Sequence, residues 1–309
     1  MPLPTNAKIV ETSQSLVDTL HAIYGPHPGF RPAHAKGILL TGNFSPTAAA
    51  AELSKAPHFT RPSTPVIARF SNAGGIPNLP DTDPTGLPRG FAVRFELETS
   101  PVRQHTDVVA NSVDAFPATT GEETLEFFNA IRDGKLEDYV ESHPKAVPFV
   151  QAPRPFPAAF GREKYHSVNA FKFVSRSGKE TYFRYKILPA AGEAYLSDAE
   201  LKGKSNDFLF DGVAETLKST GPIVFKLAAQ IAQEGDVTDD NTMKWPEDRQ
   251  VVELGTLCLE SIMENQAPEQ KRIIFDPIPR VDGIEPSADP LLDLRAGVYL
   301  LSGRERRAA

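Results

Sequence analysis

The segment Phe91-Ala-Val-Arg-Phe-Glu-Leu97 alternates large apolar side chains with smaller or charged ones along its whole length. Successive side chains of a β-strand point to opposite faces, so this alternation predicts a strand with one buried face. Arg176-Ser-Gly-Lys-Glu180 has the composition of a hairpin turn and lies between two further strand-like runs. Seven other runs of the sequence are also strand-like: Gly37–Phe44, Pro65–Ser71, His105–Asn111, Val168–Ser175, Thr181–Leu188, Ile223–Ile231 and Val251–Leu259.

Eight such strands favour an eight-stranded antiparallel β-barrel, because closing the sheet removes its exposed edges. Residues 8–30 begin as a helix and break at Gly25-Pro26 and Pro28-Gly29. Further helical patterns cover residues 121–132, 136–142, 197–203 and 206–217. The chain has no glycine-rich phosphate loop and no βαβ order, which disfavours a dinucleotide-binding fold. We therefore predict an α+β protein, one domain over residues 1–309, with helices in the crossovers between strands.

The composition excludes several classes of protein. Hydrophobic residues make up 40% of the 309 residues, enough for a sizeable core, and the formal net charge of −7 argues against a nucleic-acid surface. Cys258 is the single cysteine, so an internal disulfide and a cysteine-rich zinc site are both excluded. We find no signal-peptide pattern and no apolar run near the roughly 18 residues of a membrane span. The predicted location is therefore cytoplasmic, without membrane attachment.

Arg295 and Tyr299 lie four residues apart near the C-terminus. Asp289-Pro290 has the pattern of an N-cap followed by a helix-starting proline, and Gly303 is the predicted helix end. Residues i and i+4 share a helix face, so the guanidinium is expected beside the phenol oxygen. A free phenol has a pKa near 10, so ionising it at neutral pH costs about 4 kcal/mol. A bound ferric ion would supply most of that energy, and an adjacent cation would help.

Six segments in this order carry the functional signal of the chain. They are Arg31-Pro-Ala-His34-Ala-Lys-Gly37, Ile67-Ala-Arg69-Phe70-Ser71, Pro88-Arg-Gly-Phe-Ala-Val-Arg-Phe95, Asp107-Val-Val-Ala-Asn111-Ser-Val-Asp-Ala-Phe116, Met243-Lys-Trp-Pro246 and the run from Gly283 through Arg295 to Tyr299. In order and spacing they resemble the monofunctional haem catalase family, in its small branch of catalase-related peroxidases. The resemblance covers about residues 30 to 306. It implies a catalase-like barrel, a C-terminal haem-binding helix, haem b with its iron as cofactor, and a peroxide as substrate.

On the peroxide (distal) side of the haem, the resemblance makes His34 the acid–base residue and Asn111 its polar partner. It also implies that Ser71 hydrogen-bonds the His34 imidazole and that Phe116 lies over the distal side of the haem. Cleaving a peroxide O–O bond needs a base that takes a proton from one oxygen and returns it to the other. Neutral imidazole suits that task, and an amide can orient the peroxide without adding charge.

On the other (proximal) side, the resemblance makes Tyr299 the ligand of the haem iron and Arg295 the residue that supports its phenolate form. Tyrosine is the known iron ligand of catalases. The carboxylate groups of a porphyrin call for planar guanidinium donors. The arginines that fall at the haem propionate positions of the family are Arg31, Arg69 and Arg306.

Several positions depart from the pattern of larger catalases. Asn111 is followed by Ser112 where a second asparagine is usual, a second distal phenylalanine has no counterpart, and Asn169 replaces a histidine on what we expect to be the distal-side strand. The sequence ends ten residues after Tyr299, at Ala309, where larger members continue into a helical domain that in some binds NADPH. We therefore expect no bound nicotinamide, a wider haem channel, and peroxidase activity in preference to efficient catalase activity.

The leading functional hypothesis is a haem peroxidase that reduces hydrogen peroxide or organic hydroperoxides with a small-molecule electron donor, with weak catalase activity. One alternative is rearrangement of fatty acid hydroperoxides, as in catalase-like allene oxide synthases. Another is a non-catalytic barrel that carries haem or an apolar ligand, although a carrier would not need His34 and Asn111. We expect no nucleic-acid partner, and a homodimer as the assembly.

Overall fold

Ten β-strands and ten α-helices form the regular structure of residues 2–309, the part of the chain that this computed structural model describes. The strands are β1 (Gly37–Pro46), β2 (Thr64–Ser71), β3 (Gly90–Glu98), β4 (Gln104–Asn111), β5 (Tyr165–His166), β6 (Phe171–Val174), β7 (Glu180–Pro189), β8 (Ile223–Ile231), β9 (Val251–Ile262) and β10 (Ile284–Pro286). The helices are α1 (Ala7–Tyr24), α2 (Ala48–Leu53), α3 (Pro57–Thr60), α4 (Gly121–Arg132), α5 (Leu136–Ser142), α6 (Val147–Val150), α7 (Asp198–Lys202), α8 (Phe208–Ser219), α9 (Gln266–Arg272) and α10 (Leu291–Ala308).

Eight of the strands close into an antiparallel barrel in the order β1, β2, β3, β4, β5, β7, β8, β9 and back to β1. The pairing of β7 with β8 completes the ring. Strand β6 pairs with β7, and β10 pairs with the other edge of β6, so the two extend the sheet. The predicted eight-stranded antiparallel barrel with helices in its crossovers is therefore confirmed.

One predicted strand, Val168–Ser175, is wrong in its boundaries. Strand β7 pairs with two separate pieces along the same edge, first with β6 and then with the two-residue β5. The chain between the pieces leaves the sheet, and Val168 has a φ of 64°, outside the range of a strand. The β-branched Val168 gives no sign of this break in the sequence pattern. The seven other predicted runs lie within strands β1 to β4 and β7 to β9.

The barrel interior is packed with phenylalanine rings. Phe70 stacks on Phe91 with ring centroids 4.6 Å apart, and Phe95 meets Phe44 edge-on at 5.1 Å. All four rings are at most 1% exposed, as is Phe225 on β8. Because side chains alternate along each strand, the neighbours of these phenylalanines point outward from the barrel. The functional residues of β2, β3 and β4 lie on that outer face.

Helix α10 runs past its predicted end. Gly303 was expected to end it, but the helix continues to Ala308. A side chain at position 303 would place its Cβ 2.3 Å from the Ile274 side chain, so the glycine is needed for packing. At the other end, the Asp289 carboxylate accepts a hydrogen bond of 3.0 Å from the Leu291 amide. That contact satisfies one of the free N–H groups at the start of the helix.

The remaining helical predictions agree with the structure. Helices α4 and α5 have the predicted bounds of 121–132 and 136–142. Helix α1 ends at Tyr24, before Gly25, and it packs along α10 and α4. The short helices α2, α3 and α9 follow no amphipathic pattern long enough to predict. Among residues 2–309, no helix has both the length and the apolar character needed to cross a bilayer.

Replacing a core ring should test how much the barrel interior contributes to stability. Phe95→Ala removes a fully buried ring that packs on Phe44 and His58. We expect the free energy of unfolding to fall by about 3–5 kcal/mol. The control is Glu96→Ala, which removes only a surface ion pair with Arg103 and should cost less than about 1 kcal/mol. Urea denaturation of both variants measures the difference, and equal losses would contradict the assignment of Phe95 to the core.

Candidate active site

A cavity lies between the outer face of the barrel and helix α10. Its wall includes residues from β2, β3, β4, α1, α10 and the segments 31–34 and 274–275. The predicted site residues that line it are Arg31, His34, Arg69, Ser71, Asn111, Tyr299 and Arg306.

One row of residues across the barrel wall organises the cavity. Ser71 pairs with Gly90, and Gly90 pairs with Asn111, so the three lie side by side on β2, β3 and β4. A Cβ atom at position 90 would lie 2.6 Å from the Ser71 hydroxyl and 2.8 Å from His34 Nδ1. Because Gly90 has no side chain, the His34 imidazole has room over β3, between Ser71 on β2 and Asn111 on β4.

His34 is held by its backbone and by its ring. Its φ of 57° is unusual for a residue other than glycine, and its amide donates to Ala73 O at 2.9 Å. His34 Nδ1 lies 3.1 Å from Ser71 Oγ, as predicted. Burial, followed by the charges of Arg69 and Arg31, lowers the pKa of His34 to about 3. The ring is therefore neutral at neutral pH. Ser71 contacts Nδ1, so Nε2 is the ring nitrogen that makes no hydrogen bond with Ser71.

The phenol oxygen of Tyr299 lies against the guanidinium of Arg295, as the i,i+4 spacing predicts. Arg295 Nε and Nη2 donate to Tyr299 Oη at 3.3 and 3.2 Å. The third nitrogen of the guanidinium, Nη1, donates to the Asn169 side-chain oxygen. Asn169 Nδ2 in turn donates to the Asp289 carboxylate at 2.7 Å. A chain of hydrogen bonds therefore runs from the buried Asp289 and Asn169 through the half-buried Arg295 to the phenol.

Two sequence-based placements need correction. Asn169 was expected on the distal side, but its contact with Arg295 places it beside the Tyr299 end of the cavity. Phe116 was expected over the site, but it does not line the cavity and packs with Phe149, 6.1 Å away, and with the cluster around α1 and α10. The chain bends at Ser112, whose hydroxyl accepts a hydrogen bond of 3.0 Å from the Arg89 amide.

Three arginines give the cavity a strongly cationic end. Arg31, Arg69 and Arg306 line it, and none forms an ion pair with a carboxylate among residues 2–309. Burial, and then the charge of Arg306, lowers the pKa of Arg69 to about 9. Burial, and then the charges of the other two arginines, also lowers the pKa of Arg31. Cations held away from water without a counter-charge are costly, so this end of the cavity suits an anionic ligand with more than one acidic group.

Sequence reasoning missed one residue that contacts this cationic end. Gln270 on α9 accepts from Arg69 Nε at 2.7 Å. No motif marks it, and α9 itself was not predicted. Asp289 was recognised only as a helix cap, although it also fixes Asn169. These roles depend on contacts between residues more than 100 positions apart in the chain, so no local sequence pattern reports them.

Comparisons with known proteins agree with this site. The catalase family profile matches residues 15–309. The chain is 35% identical over 303 residues to a catalase-related peroxidase of Mycolicibacterium paratuberculosis, covering 96% of this chain and 95% of that protein. It is 32% identical over 307 residues to a catalase-related peroxidase of Synechococcus elongatus, covering 96% and 88%.

Two solved structures have the same fold. A bacterial catalase structure superposes with a TM-score of 0.80 at 22% identity, covering 99% of this chain and 62% of that one. Catalase A from Saccharomyces cerevisiae superposes with a TM-score of 0.78, also at 22% identity, covering 94% and 64%. The family profile and the two relatives place the chain among peroxide-acting oxidoreductases, a class whose catalase members generally depend on haem. The chain belongs to the catalase family.

The low pKa of His34 predicts a pH dependence of stability. Its ordinary pKa is 6.5, and in the folded protein it is about 3, so between these values only the unfolded chain binds the proton. Stability should therefore fall as the pH drops below 6.5, with His34 contributing up to about 1.4 kcal/mol per pH unit.

His34→Ala should lose this contribution, and its free energy of unfolding should fall less steeply than that of the wild type between pH 6 and pH 4. Urea denaturation of protein prepared without cofactor measures both curves. Parallel curves for the two proteins would show that His34 is charged in the fold.

Proposed function

We propose that the chain is a haem b-dependent peroxidase that reduces hydrogen peroxide or organic hydroperoxides with an external small-molecule donor, and that its catalase activity is weak. The observation that carries this proposal is that one cavity contains a neutral imidazole, a phenol that accepts hydrogen bonds from Arg295, and three arginines that pair with no carboxylate among residues 2–309. The names of the two relatives that match this chain almost end to end support a peroxidase.

The residues present fit a haem. In the proposal, Tyr299 Oη binds the iron, and Arg295 stabilises the anionic oxygen through the two N–H groups that it already directs at that atom. Arg31, Arg69 and Arg306 pair with the propionates, which supplies the carboxylates that these buried cations lack. When bound, the haem supplies the redox-active iron that the reaction requires.

His34 then acts as the proton carrier. Its neutral Nε2 accepts a proton from one peroxide oxygen and returns it to the other, while Ser71 on Nδ1 fixes the ring. Asn111, in the same cavity wall, donates its side-chain N–H to orient the peroxide. Overall, two electrons from the donor and two protons convert a hydroperoxide into an alcohol and water. A passive haem carrier would need none of these three residues.

Tyr299→Phe tests the iron ligand. The variant keeps the ring and removes the oxygen, so we expect it to lose most of the haem bound by the wild type and the phenolate-to-iron absorption band. Absorption spectroscopy of protein reconstituted with haem gives both readouts. The control is Tyr182→Phe, the same change at an exposed tyrosine, which should behave like the wild type. Unchanged spectra for Tyr299→Phe would remove this residue as the ligand.

His34→Ala tests the proton carrier. We expect normal haem binding but peroxide consumption at least about 100-fold slower, because general acid–base catalysis is typically worth 10²–10⁴-fold. The control is His27→Ala, at a histidine that does not line the cavity. Stopped-flow rates of peroxide consumption measure the effect, and a rate near that of the wild type would sink the role of His34.

The balance of activities tests the proposed reaction itself. Purified protein is given hydrogen peroxide or a fatty acid hydroperoxide, each with and without a small aromatic donor. We expect donor oxidation with either peroxide and slow oxygen evolution. Oxygen evolution with kcat/KM of about 10⁶ M⁻¹s⁻¹ or above and negligible donor oxidation would show an efficient catalase instead. Consumption of the fatty acid hydroperoxide without a donor would favour rearrangement. No consumption of either peroxide, with or without donor, would favour a non-catalytic carrier.

A further inference from the structure

The three guanidinium groups at the cationic end of the cavity need neighbours that hold them in place. Arg31, Arg69 and Arg306 repel one another, yet all three line the same cavity without a carboxylate partner among the described residues. Something neutral must therefore hold their guanidinium groups in place. Backbone carbonyls do part of this, since Ile273 O accepts from Arg31 Nη2 and from Arg306 Nη2, both at 2.9 Å.

Gln270 is the side chain that connects two of these arginines. Its Oε1 accepts from Arg69 Nε at 2.7 Å and lies 3.5 Å from Arg31 Nη1. Its Nε2 donates to Gly37 O at 2.5 Å, which fixes the direction of the amide. Arg69 in turn lies over Gly37, where a Cβ atom would be 2.2 Å from its Nη2.

The chemistry of an amide matters at this position. A glutamate has the same shape as a glutamine and would accept the same hydrogen bonds from the two guanidinium groups. It would also form buried ion pairs with them and compensate their charge. The amide orients the cations and leaves that charge for the ligand, which is the arrangement expected of a preorganised anion site.

We propose that Gln270 is the positioning residue of the anion-binding end of the cavity, holding Arg31 and Arg69 as uncompensated cations that select the two carboxylates of the porphyrin. This inference rests on the proposed haem function and deepens it. It assigns to α9, a helix outside the motifs of the site, the recognition of the acidic edge of the cofactor. The ligand class that it selects is a planar macrocycle with two free carboxylates, in preference to the same macrocycle with those groups esterified.

The test compares haem with its propionate dimethyl ester, which has the same iron and ring but no carboxylates. Dissociation constants for both are measured by absorption titration of the full-length protein prepared without cofactor. The wild type should bind haem at least about 10-fold more tightly than the ester, since a hydrogen bond to a charged group contributes about 1.5–3 kcal/mol. Binding of neither compound would refute the proposed function. Equal binding of both would leave the haem function standing and overturn the role of the cationic end.

The deciding variant is Gln270→Glu. We expect its affinity for haem to fall about 10- to 100-fold, because the new carboxylate competes with the propionates, while its affinity for the ester stays within about twofold. The matched control is Ala267→Glu, which adds the same charge at an exposed position of α9 and should change neither affinity. Equal losses for haem and ester in Gln270→Glu would show a packing role only and overturn the inference.

Gln270→Met keeps the inference testable if the charged variant does not fold. Methionine fills a similar volume without accepting a strong hydrogen bond, so Arg31 and Arg69 lose their common neutral partner. We expect a loss of affinity of about 3- to 10-fold for haem and none for the ester. Thermal unfolding of each variant checks that the fold is kept. A haem-to-ester preference equal to that of the wild type would contradict the assignment.

Discussion

The filled interior of the barrel is the constraint on which the rest of the structure depends. Phenylalanine rings from several strands occupy the inside, with Phe70, Phe91 and Phe225 at most 1% exposed. No room is left there for a large ligand, so the polar chemistry lies on the outer face. The strict alternation of the strands then decides which residues reach that face. Ser71 points outward because Phe70 points inward, and Gly90 points outward because Phe91 points inward.

The sequence predicts the barrel and the contacts between residues that are close together in the chain. Alternation in Phe91–Leu97 and its counterparts reports strands reliably because one face of each is buried, and Arg295 and Tyr299 meet because one helical turn joins them. What it does not predict is contact between distant segments. Asn169 contacts Arg295, 126 positions away in the chain, at a break between strands β5 and β6. Val168 lies at this break, but its β-branched side chain is typical of a strand, so the sequence does not indicate the break. Phe116 was placed by analogy alone, and it packs beside Phe149 instead of lining the cavity.

Burial determines which groups of the site carry a charge. His34 is neutral because its burial, and then the charges of Arg69 and Arg31, lower its pKa. The same arginines are stabilised by carbonyl and amide oxygens and by no acid among residues 2–309, so the cavity keeps a net positive end. Burial lowers the pKa of His34 and the pKa of Arg69 alike, because removal from water disfavours the charged form of both groups.

Helix α10 carries Tyr299, Ser302 and Arg306 on the face that lines the cavity, so one rigid element sets the separation between the phenol oxygen and the anion-binding guanidinium. Seven residues of α-helix span about 10.5 Å and almost two full turns, which is why positions 299 and 306 look the same way. Inserting or deleting a single residue between them would rotate Arg306 by about 100° around the helix axis. A change in the length of this part of the helix would therefore place the side chains of Tyr299 and Arg306 on different faces.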